Sequence, residues 1–77
     1  MTRYAVGYMN AFDNDLQIEF VVADSVKAAL IQHSAFKDAD MAEWAATAPE
    51  ALEDLKDHFF DGDIFVDVKE APWPWPI

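Results

Sequence analysis

One stretch limits the folds open to this chain more than any other: residues 47–61, TAPEALEDLKDHFFD. Thr47 followed by Glu50 has the form of a capping box, and Pro49 is tolerated in a first helical turn, so a helix is predicted to begin there. Leu52, Leu55 and Phe59 recur at helical spacing and give that helix one apolar seam for a core. Glu50, Glu53, Asp54, Asp57 and Asp61 fall on the other side as a ladder of five carboxylates, with only Lys56 inside the run. One helix is therefore expected to carry a greasy seam and an acidic face.

The rest of the chain is read around it. Residues 3–11, RYAVGYMNA, and 16–23, LQIEFVVA, read as two strands joined through the turn-forming cluster Phe12-Asp13-Asn14-Asp15. In the second strand Leu16, Ile18, Phe20 and Val22 alternate with Gln17 and Glu19, which commits the apolar set to a core. The first strand is apolar on both faces and is expected at the centre of the sheet. Gly7 in mid-strand suggests close approach of a helix or a large side chain. Asp24-Ser25 supplies an N-cap for a short helix over 26–36, in whose last turn His33 is expected partly exposed. MAEWAA, 41–46, reads as a helical turn anchoring Trp44. After the turn Asp61-Gly62-Asp63, the alternation of Ile64, Val66 and Val68 with Phe65, Asp67 and Lys69 reads as a third strand.

This ββ(α)αβ order predicts an α+β fold: a three-stranded, antiparallel-rich sheet with two or three helices on one face. The strand order is 2-1-3 if the helices act as one crossover, and the direction of the third strand stays open. Residues 1–70 make a single domain. The remainder, 71–77, APWPWPI, has proline at alternate positions and is expected to be an extended tail with Trp73 and Trp75 as anchors.

Composition narrows the function classes. With 77 residues, 53% of them apolar, the chain is expected to fold as one small globule despite a net charge of −10. It has no cysteine, which removes disulfides, thiolate metal sites and cysteine nucleophiles. No signal peptide and no membrane-length apolar run is present, so a cytoplasmic protein with no membrane contact is expected. Between positions 38 and 70 there are 11 acids and 2 bases, a local charge of −9. Such a half-chain repels nucleic acid and is steered toward basic protein surfaces.

Residues for catalysis are sparse. Ser25 reads as a cap, Ser34 lies in a helix, and His33 and His58 have no HExxH spacing. Asp13-Asn14-Asp15 and Asp61-Gly62-Asp63 resemble pieces of a calcium loop but lack its glycine and distal glutamate, so no metal, no cofactor and no enzymatic activity are expected. The acidic ladder has an ordinary explanation, a solvated helix face. Its one-sidedness points instead to a contact, because neighbouring acids on a helix lie roughly 5–6 Å apart, not far from the spacing of successive phosphates.

The opening YAVGYMNAFDNDLQIEFVVADSVKAAL, residues 4–30, resembles small, uncharacterised acidic early proteins of tailed bacteriophages. The resemblance implies a role in binding and inhibiting a host protein, in the host-cell cytoplasm. Two functional classes compete, the first supported by the acidic charge and this resemblance, the second by the aromatic residues. In one, the chain is a nucleic-acid-mimicking inhibitor or regulator that covers a basic surface of a larger protein, such as a nucleic-acid-handling enzyme. Its contact is Glu50, Glu53, Asp54, Asp57 and Asp61, extended by Asp63 and Asp67. In the other, it is a structural or self-associating module, a homodimer for instance, whose contact is Tyr4, Tyr8 and Phe65 on the sheet with Trp73 and Trp75 of the tail.

Overall fold

The computed structural model describes residues 1–71. The hairpin forms from β1 (Thr2–Asn10) and β2 (Asp15–Ala23), and β3 (Ile64–Glu70) pairs with the far side of β1, giving the order β2-β1-β3 with both pairings antiparallel. The fold is α+β, as the element order predicts, and the strand apolar on both faces is the central one. The expected tail anchors Trp73 and Trp75 lie outside the described residues.

Between β2 and β3 run α1 (Val26–Ile31), a 3-10 turn (Ser34–Lys37), α2 (Ala39–Ala46) and α3 (Leu52–Phe60). The Ser25 hydroxyl accepts from Ala28 N–H at 3.1 Å and caps α1, while Asp38 caps α2 through Met41 N–H. The helix expected from residue 47 begins five residues later. Thr47 instead closes α2, its hydroxyl donating to the Trp44 carbonyl at 2.9 Å, and Ala51 stands at the start of α3 without a side-chain cap. Lys27 explains why the chain stops there: its ammonium donates to the carbonyls of Ala46 and Ala48, satisfying the end of α2 and holding the link to α3.

The core is the layer between helices and sheet. Leu55 and Phe59 of α3 are fully buried there, with Leu30 and Ala29 from α1, Val6 from β1 and Ile64, Val66 and Val68 from β3. The seam read from the sequence is thus the one that packs.

Trp44 closes the end of this layer, its ring 4.8 Å from that of Phe59 and 5.3 Å from that of His58. It also presses on the α3–β3 turn, where a Cβ on Gly62 would lie 2.5 Å from the indole edge. Gly62 is therefore required for close approach. Gly62→Ala should lower stability by about 1–3 kcal/mol by overpacking. A thermal melt checks this, and adding Trp44→Phe, which shortens the intruding ring, should restore part of the loss.

Candidate functional site

The register of the hairpin decides what the protein presents to solvent. Asn10 pairs with Asp15 across the loop 11–14, and the loop is held by Asn14 N–H and Asp13 N–H donating to the Asn10 carbonyl and by Phe12 N–H donating to the Asn10 side chain. Asn14 takes a positive φ of 53°, a conformation asparagine tolerates. With that loop, Gly7 lies opposite Ile18 and Met9 opposite Leu16, whereas Val6 lies opposite Glu19 and Tyr8 opposite Gln17. Residues directly opposite share a face. Since Tyr4 and Val6 are buried under the helices, Gln17, Glu19, Val21 and Ala23 take the helix side and the apolar set of β2 takes the other.

The expectation that Leu16, Ile18, Phe20 and Val22 enter the core is therefore overturned. They stand 60%, 57%, 41% and 41% exposed. A one-residue change in loop length would have turned them inward. On the same open face lie Ala5, Gly7 and Met9 of β1 and Phe65, Asp67 and Lys69 of β3. Gly7 is not overlain by a helix: a Cβ there would meet only the Asp67 carbonyl and the Leu16 side chain, both at an ordinary 3.9 Å. Its missing side chain leaves a hollow of about 270 Å³ bordered by Leu16, Ile18, Asp67 and Lys69, which continues past Met9 to Phe65. At the β3 edge Phe60 of α3, itself exposed, meets Phe65 edge-on at 5.4 Å and extends the apolar surface around the corner.

On β2 the Gln17 main-chain carbonyl and the Glu19 carboxylate are met by His33 and Ser34, where the 3-10 turn begins. His33 is not a partly exposed residue of a helical last turn. It lies beyond α1, wholly buried, because the chain turns in toward the sheet after Ile31. Its Nδ1 accepts from Ala35 N–H at 3.1 Å, which makes Nε2 the protonated nitrogen and the donor to the Gln17 carbonyl at 3.1 Å. Its ring stacks on Tyr8 at 5.6 Å. Glu19 receives Ser34 N–H and is held below the ordinary carboxylate range, chiefly by hydrogen bonding from the Ser34 side chain, against an opposing effect of partial burial. The Ser34 backbone, His33 and Lys37 add to the lowering.

A carboxylate with a lowered folded pKa stabilises the fold above its unfolded pKa, and that stability is lost as pH falls through the folded pKa. Glu19→Gln should accordingly cost up to about 1 kcal/mol at neutral pH, a modest figure for a side chain one-third exposed. The gap should close in acid, and melting curves of both proteins across the carboxylate range read it directly. A gap of constant size would remove the charge from the explanation.

The acidic residues do not form the single ladder expected. Glu53, Asp54 and Asp57 are exposed along α3, with Asp61 capping its end, but Glu50 lies in the link before the helix. Glu53 and Asp54 occupy the first turn, where the helix dipole favours negative charge and no side-chain cap is present. Asp63 sits in the α3–β3 turn with φ of 61°. Asp67 lies on the open face, 3.8 Å from the Lys56 ammonium and accepting from Val68 N–H. The second expected surface also separates: Tyr4 and Tyr8 face the helices, and Phe65 faces away from them, because they occupy opposite-parity positions in the β1–β3 register.

The residues that make the open face, Leu16, Ile18, Met9 and Gly7, are absent from both expected contacts. The signal for them was the apolar content of β1 on both of its faces, which a sheet covered on one side cannot bury. Among the described residues no three His, Asp or Glu side chains gather at metal-binding distance, and no helix is long and apolar enough to cross a membrane. No protein-family model, curated protein or solved structure matches this chain.

Proposed function

We propose that the chain is a protein-association module whose contact is the open apolar face of its sheet and whose partner surface is itself apolar and sparsely charged. The observation that carries this reading is the exposure of Leu16 and Ile18 beside the Gly7 hollow, since aliphatic side chains contiguous with an aromatic rim are what an interface core is made of. The acidic helices lie on the opposite side of the sheet. In this reading they carry the solubility of the protein and repel nucleic acid, and the contact itself holds few charges.

A second reading keeps the acidic side as the contact, with the chain covering a basic, nucleic-acid-binding surface of a larger protein in the manner of a phage inhibitor. It is favoured by Glu53, Asp54 and Asp57, exposed together on one helix with no ion pair to a cation among the described residues. A photo-crosslinking amino acid placed at position 18 in one variant and at position 54 in another separates the two. Adducts from position 18 and none from position 54 are expected. The reverse pattern would replace the open face by the acidic helix.

A further inference from the structure

We infer that the occupant of the open face is a second copy of this chain, packed sheet against sheet to give a four-layer dimer with the acidic helices outermost. The inference rests on the reading of the open face as the contact, and it names the partner.

Charge argues for a like partner. The chain carries −10 overall, yet among the described residues the charged side chains on the open face are Arg3, Asp67 and Lys69, a near balance of signs. A basic partner would be drawn to the helical side, where the acids are, and a second acidic protein would be repelled from most approaches. Face-to-face stacking avoids that repulsion. Packed sheets lie about 10 Å apart and a helical layer stands about 10 Å behind each, so the two acidic layers end up roughly 30 Å from one another, about three Debye lengths at 0.1 M salt.

Area sets the strength. Three strands 4.7–4.9 Å apart, each roughly 25–30 Å long, give a flat footprint of about 400 Å² before side-chain relief and the rim at Phe60 are added. That lies below the roughly 800 Å² per partner of a standard interface, so association in the micromolar range is expected rather than an obligate dimer. The Gly7 hollow can receive a side chain, and Ile18 and Leu16 are the exposed aliphatic groups that border it. Isologous packing lets each copy supply both the knob and the hollow.

Sedimentation equilibrium of the full chain across a micromolar concentration series tests this, with Ile18→Lys and with Trp73→Ala/Trp75→Ala. The wild type should reach twice the monomer mass, and the tail variant should do the same. Ile18→Lys, at a solvent-exposed position, should keep its circular dichroism and melting temperature at monomer concentrations while its self-association weakens by at least about 30-fold. A dimer that survives Ile18→Lys is joined elsewhere, through a strand edge for example, and overturns the inference. So does a wild type that stays monomeric throughout the series, or a dimer lost only in the tail variant. If position 18 crosslinks to a different protein while the wild type remains monomeric, the open face stands as a contact and the second copy is excluded as its occupant.

Discussion

Phe59→Ala is expected to lose about 3–5 kcal/mol of unfolding free energy, the largest effect of any single truncation in the helical layer. Phe59 is fully buried, and its ring is the hub of an aromatic cluster, 4.8 Å from Trp44, 5.1 Å from His58 and 5.4 Å from Phe36, all in edge-on geometry. Removing it takes away the area buried by the ring, the edge-to-face contacts with three neighbours, and the support that positions Trp44 over Gly62. The surrounding groups come from α2, α3 and the 3-10 turn, separate segments that cannot all close in on the space left. A domain of this size has on the order of 5–15 kcal/mol to lose at most, so the variant should be partly unfolded near room temperature. Chemical denaturation followed by tryptophan fluorescence measures it, since Trp44 reports the same cluster. Phe59→Leu, which refills most of the volume, should recover more than half of the loss. A midpoint for Phe59→Ala equal to that of the wild type would show that this layer is not the core.

His33→Ala should be nearly as damaging, at about 3–5 kcal/mol, for a different reason. Here the loss comes from two orphaned partners, the Gln17 carbonyl and Ala35 N–H, each costing about 1–3 kcal/mol when left unpaired out of water, with the cavity under Tyr8 added. The two ring nitrogens can be tested apart. His33→Asn places an acceptor near the position of Nδ1 and should restore the bond from Ala35 N–H. His33→Gln reaches toward the position of Nε2 and should restore the donor to Gln17. Each variant should regain part of the stability lost in the alanine variant. Equal stability of all three would mean that packing alone accounts for this histidine.

Those two residues mark the boundary of what the chain's pattern conveys. The helical repeat of Leu52, Leu55 and Phe59 identified the core seam of α3 correctly, because a 3.6-residue period survives whatever the helix packs against. The two-sided apolar character of β1 likewise placed it at the centre of the sheet. His33 resisted the same treatment. A histidine just past a short helix has no periodic signal for burial, and its inward position follows from the chain turning toward β2, where the Gln17 main-chain carbonyl accepts from its ring.

The start of α3 was misplaced for a related reason. Thr47-x-x-Glu50 satisfies the local grammar of a cap, but Lys27, distant in sequence, takes the carbonyls of Ala46 and Ala48 and ends α2 there. The Thr47 hydroxyl donates back to the Trp44 carbonyl, so the cap its motif describes is not made.

The element order, the α+β class and the seam of α3 were all determined by the amino-acid sequence alone, since each depends on periodicities that act within one segment. Which face of β2 meets the helices was decided only in the tertiary structure. Strand alternation shows that two faces differ without saying which is inward, and a loop of one residue more or less reverses the answer. The loop 11–14, with Asn14 at positive φ, turned Leu16 and Ile18 to solvent and Glu19 toward Ser34. The candidate contact of this protein therefore arises from hairpin register, a relation between two strands that neither strand carries by itself.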